Sequence, residues 1–143
     1  MTNYNFFETK LLHDSAKNPT KGHTDDAGWD LYSSESVSIP AGATVLVSTG
    51  VAMAIPNRYV GLIWDRSSMG VKGIHRHAGV IDSGYRGPIM LKFASPVGAG
   101  VYLAGDRVAQ IMILPYPEIE YVEVNELSDS ARGSGGFGST GTS

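Results

Sequence analysis

Apolar residues in this chain recur at every second position, in short runs cut by glycine and proline, and nowhere hold a helical period for long. SVSIP, ATVLVSTGVAMAI, RYVGLIW, AGVID, PIMLKFA, GVYL, DRVAQIMIL and EIEYVEV each carry the β-branched and aromatic content of a strand. In the second run Val45, Val47 and Thr49 share one face, and Leu46 and Ser48 the other. SSMGVKG has room for one helical turn at most. Many short strands separated by turn residues build a sandwich, a jelly roll or a barrel. With 143 residues, 42% of them hydrophobic, the chain suffices for one such all-β domain and its core. From Asn125 onward NELSDSARGSGGFGSTGTS loses all periodicity. The chain therefore divides into a β body over 1–124 and a C-terminal arm over 125–143. At ~3.3 Å per residue such an arm reaches far enough to cross to a neighbouring subunit.

Charge and composition narrow the function. A net charge of -3 argues against a general nucleic-acid binder, which would be basic. It leaves room for a small anionic ligand held by local arginines. The absence of cysteine excludes disulfides and thiolate metal sites. His13, His23, His75 and His77 lack the spacing of a zinc motif, and His75 and His77 alternate as on one strand face. MTNYNFFETKLL has none of the parts of a signal peptide. No apolar run approaches the roughly 18 residues that span a bilayer. The expected setting is the cytosol, with no membrane partner.

Several stretches hold residues suited to chemistry. In AGVIDSGYRG, Ser83-Gly84 makes a tight turn, and Tyr85 and Arg86 begin a return strand. Asp82 is then either a turn residue or a partly shielded base ready to take a proton from water. In WDRSSMGVKG, Arg66 offers the planar donor fork that suits phosphate, and Ser67 and Ser68 add hydroxyl donors. The same serines also read as the N-cap of a helical turn. Asp30 in AGWDL is a surface strand residue or a cation ligand. In GDRVAQIMI, Asp106 starts a turn, and Gln110 stands among apolar residues and needs hydrogen-bond partners. RGSGGFGSTG reads as flexible coil. Its glycines imitate a dinucleotide fingerprint, but too few residues follow for the helix that motif requires. A spacer has no use for Phe137, a ring with glycine on both sides.

Taken together and in order, AGWDL, DRSSMGVKG, AGVIDSGYRG, GDRVAQIMI and RGSGGFGSTG closely resemble the five motifs of the trimeric dUTPase family, over about Ala27 to Gly141. The resemblance implies a jelly-roll-like distorted β-barrel, assembled as a homotrimer with active sites shared between subunits. It implies hydrolysis of dUTP to dUMP and pyrophosphate by water attack on the α-phosphate, which lowers dUTP and supplies dUMP for thymidylate synthesis. Asp82 would be the general base. Arg66, Ser67, Ser68 and Gln110 would bind phosphates. The backbone from His77 to Tyr85, including Gly79, Val80 and Ile81, would read the uracil edge. Tyr85 would pack under the deoxyribose and exclude a 2′-hydroxyl. On the flexible arm, Phe137 would stack on uracil, Arg132 would reach the γ-phosphate, and Gly138, Ser139 and Thr140 would complete the phosphate cradle. Asp30 would help hold Mg²⁺ through water.

Three positions differ from the family pattern: Asp65 where many members have proline, Arg76 where some have asparagine, and Ala94 where motif three often ends in asparagine. Asp65 is expected to point away from the phosphates. Arg86, Asp106 and Arg107 are expected to fix turns and subunit contacts. Two rival readings share the fold. A dCTP deaminase would need a glutamate base where this chain has Lys92. A non-catalytic binding protein would have no need of Asp82 at the pocket.

Overall fold

The computed structural model describes residues 6–97 and 100–142. The chain runs through β1 (Glu8–Leu11), β2 (Trp29–Tyr32), β3 (Val37–Ile39), β4 (Thr44–Ala54) and β5 (Tyr59–Trp64). The helical turn α1 (Ser67–Val71) follows, then β6 (His75–His77), β7 (Val80–Ile81), β8 (Pro88–Ala94), β9 (Gly100–Tyr102) and β10 (Arg107–Pro115). One sheet has the strand order β1-β4-β8-β6, a second has β2-β10-β5-β7, and β3 pairs with β9.

Alternation decides which way each strand faces. In β8, Ile89, Leu91 and Phe93 are buried while Pro88, Met90 and Lys92 are exposed. In β4, Val47 and Thr49 are buried and Leu46 is exposed, as its pattern predicts. The inward sets of the two large sheets meet in one core: Val47, Val51, Met53, Ile89, Leu91 and Phe93 from the first, Leu31, Ile63, Val108 and Ile111 from the second. No strand pairing joins these sheets among the described residues, so the jelly-roll-like body is two sheets over one core and not a closed barrel. No helix among the described residues is long and apolar enough to cross a membrane.

Three expectations are corrected. Ser83-Gly84 does form a turn, closed by the Tyr85 N–H on the Asp82 carbonyl at 3.1 Å. It does not join hairpin partners: β7 pairs with β5, whereas β8 pairs with β4 and β6. The turn therefore carries the chain from one sheet to the other. The run Glu118–Val124 forms no strand and is exposed throughout: it pairs with none of the edge strands β1, β6, β2 and β7. The N-cap of α1 is Arg66, with no side-chain cap, so Ser67 and Ser68 lie in the first turn instead.

The segment that leads to the arm leaves the sheets beside Arg58. The Tyr116 N–H donates to the Arg58 carbonyl at 2.9 Å, and the Arg58 guanidinium meets Glu118 at 2.6 Å. Beyond Glu118 every hydrogen bond made by a described residue stays within the arm.

Candidate active site

Strand β10 is the organising element. Gln110 lies opposite Asp30 of β2 on one side and opposite Trp64 of β5 on the other. Three segments far apart in sequence are thereby set side by side. Arg66, just past β5, turns back so that its Nε sits 3.3 Å from Asp30 Oδ1. Arg107, at the start of β10, brings its Nη1 to 3.4 Å from Asp30 Oδ2. Arg66 also donates to the Arg107 carbonyl at 3.3 Å. Asp30 is the most enclosed member, with 19% of its side chain exposed, so it serves as the anchor that orients both guanidinium groups. The Gln110 amide donates to the Asp65 carbonyl at 2.9 Å, which supplies the partner that a half-buried Gln requires. The Asp65 carboxylate accepts the Arg76 backbone N–H at 2.9 Å, and so is tied to the start of β6. Ser67 and Ser68 are exposed on the adjoining turn. The result is a cationic, hydroxyl-rich corner suited to an anion.

The second part of the site is a cleft. A hollow of about 190 Å³ is lined by Val80, Ile81, Asp82, Tyr85, Pro88 and Met90. It adjoins another of about 250 Å³, walled by Ile63, Arg76, the segment from His77 to Ile81, and Met90 to Lys92. The Tyr85 ring is pinned in two ways. Its hydroxyl donates to the Pro88 carbonyl at 2.9 Å. A Cβ at Gly87 would lie 2.6 Å from the same hydroxyl, so the ring occupies the space a side chain would fill. Arg86 holds the turn itself, donating to the Ser83 and Tyr85 carbonyls at 2.7 and 3.1 Å.

Asp82 is exposed in the single chain and its carboxylate makes no hydrogen bond among the described residues. That corrects the expectation of partial shielding: it lies past the end of β7, where no described residue covers it. The arm residues are not brought to this cleft either. Arg132 donates to the Gly135 carbonyl at 2.7 Å, within the arm. Phe137, in a left-handed conformation with φ 51°, has 114% relative exposure and touches no ring. Gly138, Ser139 and Thr140 are exposed.

Asp106 behaves as a turn residue, accepting the Leu103 N–H at 2.8 Å. The Tyr102 hydroxyl, buried and without a hydrogen-bond partner among the described residues, titrates above its usual value because of burial and then because of Asp106. Sequence reasoning missed the contact of Arg107 with Asp30 and the place of Met90 in the cleft. The alternation of PIMLKFA held the signal for Met90, since its outward set includes that residue.

Magnesium keeps several waters and binds proteins through one or two carboxylates together with substrate phosphates. Among the described residues no three His, Cys, Asp or Glu gather into a metal cage. Asp30 stands at the anion corner, with one guanidinium on each oxygen and lone pairs to spare. That donor set fits a hydrated cation delivered with a polyphosphate.

The dUTPase family model matches residues 14–141. A protein of Yarrowia lipolytica named deoxyuridine 5'-triphosphate nucleotidohydrolase is 44% identical over 136 residues, covering 92% of this chain and 86% of that one. One of the same name from Paramecium bursaria Chlorella virus 1 is 41% identical and covers 92% and 95%. Among solved structures, the dUTPase of Staphylococcus bacteriophage 80alpha with dUPNHPP has a TM-score of 0.89 at 31% identity, covering 97% of this chain and all of that one. A mutant dUTPase from phage phi11 of S. aureus, described with a structural Mg(II) ion, has a TM-score of 0.78 at 27% identity and covers 85% and 98%. The likeness runs through sequence, motif order and backbone over nearly the full length of both partners, and on that ground the chain belongs to the dUTPase family.

Proposed function

We propose that this protein hydrolyses dUTP to dUMP and pyrophosphate, with Mg²⁺ as its cofactor, on a site built around Asp82 and the Asp30–Arg66–Arg107 corner. The observation that supports this most is the joining of the two halves. One fold sets an anion corner and a ring-sized cleft on neighbouring elements, with a free carboxylate on the lip of the cleft. In this reading the base enters the cleft, where the backbone at Gly79, Val80 and Ile81 meets the uracil edge. Tyr85 lies against the deoxyribose and leaves no room for a 2′-hydroxyl. Arg66, Ser67, Ser68 and Gln110 hold the phosphates. Asp82 accepts a proton from water as its oxygen bonds to the α-phosphorus, the α–β anhydride breaks, and pyrophosphate departs. Asp30 steadies a hydrated Mg²⁺, which neutralises phosphate charge when bound. The chain's own contribution is position and electrostatics. Lys92 stands on the cleft wall where a deaminase needs a carboxylate, which disfavours that rival.

The same reading places the arm, residues 125–143, over a site of another subunit in a homotrimer whose bodies are residues 1–124. Two observations support it. The arm makes no hydrogen bond to its own body beyond Glu118 among the described residues. Ile119, Tyr121, Val122 and Val124, which lead into the arm, and Leu127 within it are exposed apolar residues that a partner would cover. In the closed site Phe137 stacks on uracil, Arg132 meets the γ-phosphate, and Gly138, Ser139 and Thr140 wrap the phosphates. We place the enzyme in the cytoplasm, with the nucleotide pool it acts on; the product dUMP feeds thymidylate synthesis.

The test is a panel of dUTP, UTP, dTTP and dCTP with Mg²⁺, followed for nucleotide products, pyrophosphate and ammonia. Pyrophosphate and dUMP from dUTP alone are expected. Ammonia from dCTP, or no turnover in any tube, overturns the reading. Site sharing has its own test. Chains carrying Asp82→Asn and chains ending at Asp129, each inactive alone, should regain activity when refolded together, because mixed trimers pair an intact base with an intact arm. Light scattering should give a trimer.

A further inference from the structure

The cleft wall contains a side chain that none of these roles uses. The Arg76 Nε donates to the Ile63 carbonyl. Its guanidinium lies 4.7 Å from the centre of the Trp64 ring, in cation–π range. Ile63 in turn donates its own N–H to the Gly79 carbonyl at 2.8 Å. A Cβ built on Gly79 would lie 3.1 Å from Ile63 Cβ, 3.1 Å from the Ile63 carbonyl oxygen and 3.6 Å from Arg76 Cδ. Arg76, Ile63 and Gly79 thus close on one another tightly enough that a Cβ at Gly79 would have to push Ile63 back by a few tenths of an ångström.

The segment they close on is conformationally unfavourable. Ala78 has φ 61° and Gly79 has φ 129°. Glycine tolerates such angles, but an alanine Cβ crowds the backbone there. Unfavourable backbone of this kind persists only where its surroundings over-determine it. Here the surroundings are the Arg76–Ile63 contact on one side and the Asp65 carboxylate on the Arg76 N–H on the other. The held segment leads directly into Gly79–Ile81, which lines the cleft.

We infer that Arg76 is a positioning residue for base recognition: it latches the Ala78–Gly79 backbone in the conformation that presents the Gly79–Ile81 peptide groups to the bound base. The inference rests on the dUTP reading given above. Uracil offers a donor N–H flanked by two carbonyl acceptors, and hydrogen bonds to such an edge weaken steeply with misalignment. Rotation of the Gly79 peptide would therefore loosen base binding without touching Asp82. Base contacts are the same in ground and transition states, so the loss appears in KM and leaves kcat in place.

Arg76→Met keeps the aliphatic stem beside Gly79 and removes the donor and the stacked cation. It should raise KM for dUTP and Ki for dUMP about tenfold, the order of one misaligned hydrogen bond, with kcat retained. Adding Ala78→Gly, which removes the crowded Cβ, should recover most of both constants, a rescue that simple loss of packing would not show. Arg76→Lys keeps a charge and a donor without the planar fork; it should fall between, and it carries the test if the methionine variant does not fold. Unchanged KM and Ki in a folded variant overturn the inference. So does a fall in kcat that parallels KM and is not rescued. Wild type and Asp82→Asn run in the same assay: absence of dUTP turnover in the wild type sinks the function itself, wild-type turnover in Asp82→Asn removes only the base assignment, and normal turnover with an unmoved KM sinks only the latch.

Discussion

The turn from Asp82 to Tyr85 and the arm from Arg132 to Thr140 are both short, glycine-bearing and exposed, yet they are built in opposite ways. The turn is held at four points, by the Tyr85 N–H, by two bonds from Arg86 and by the Tyr85 hydroxyl on Pro88. Among the described residues the arm is held only by itself: Gly133 bonds back to Ser130, Gly135 to Arg132, Ser139 to Gly136 and Gly141 to Gly138. Under the proposed function the difference follows from what each would have to do. A base has to stand at a fixed distance and angle from its water, so its backbone is pinned before substrate arrives. A group that encloses the substrate must first let it in, so it belongs on a segment with little local stability. In the proposed reading the body thus holds the groups that need preorganisation, and the arm would hold those that gain their partners only in the closed state.

The sharpest way to break this contrast is to attack the pinned side. Asp82→Asn should lower kcat by about 10²–10⁴-fold while nucleotide binding persists, measured by turnover and by calorimetry with a nucleotide. Turnover at the wild-type rate would remove Asp82 from the chemistry. Ending the chain at Asp129 should lower turnover by about 10²–10³-fold, through loss of the Arg132 and hydroxyl donors. The melting temperature and trimer should be unchanged; if either is lost, the arm is structural and the contrast fails. Tyr85→Ala should narrow the preference for dUTP over UTP by roughly tenfold in kcat/KM, and an unchanged ratio would move the sugar gate elsewhere. Gly87→Ala should displace the Tyr85 ring and weaken the same preference by a smaller factor. The mildest probe is Phe137→Trp, which should retain turnover and lose fluorescence when nucleotide binds; an unchanged signal argues against stacking.

Much of the body was legible because alternation is a local property. PIMLKFA predicts β8 residue for residue, and of the two faces that ATVLVSTGVAMAI sets apart, Val47 and Thr49 are buried and Leu46 is exposed. The turn at Ser83-Gly84 was legible for the same reason, since turn chemistry resides in the turn residues. Its place between two sheets was not, because no residue in VIDSGYRG states which strand lies beside Val80. EIEYVEV alternates as well as any true strand and forms none. Pattern confers the capacity to pair, but it does not say whether the fold brings the segment alongside another strand.

The candidate site divides along the same line. Sequence by itself determined the inventory: a carboxylate after an apolar strand, an Arg-Ser-Ser turn, a Gln among apolar neighbours, and a glycine arm carrying a ring and an arginine. Motif order was enough to indicate the family. Only the tertiary structure decided which of these groups meet. Register on β10 placed Gln110 between Asp30 and Trp64, and Asp30 became the common partner of Arg66 and Arg107. It also made Arg76 part of the cleft, through contacts with residues 13 positions back and three ahead. The physical reason is that side-chain character and strand period are fixed one residue at a time, while register, charge pairing and backbone strain are settled between segments that are neighbours only after folding.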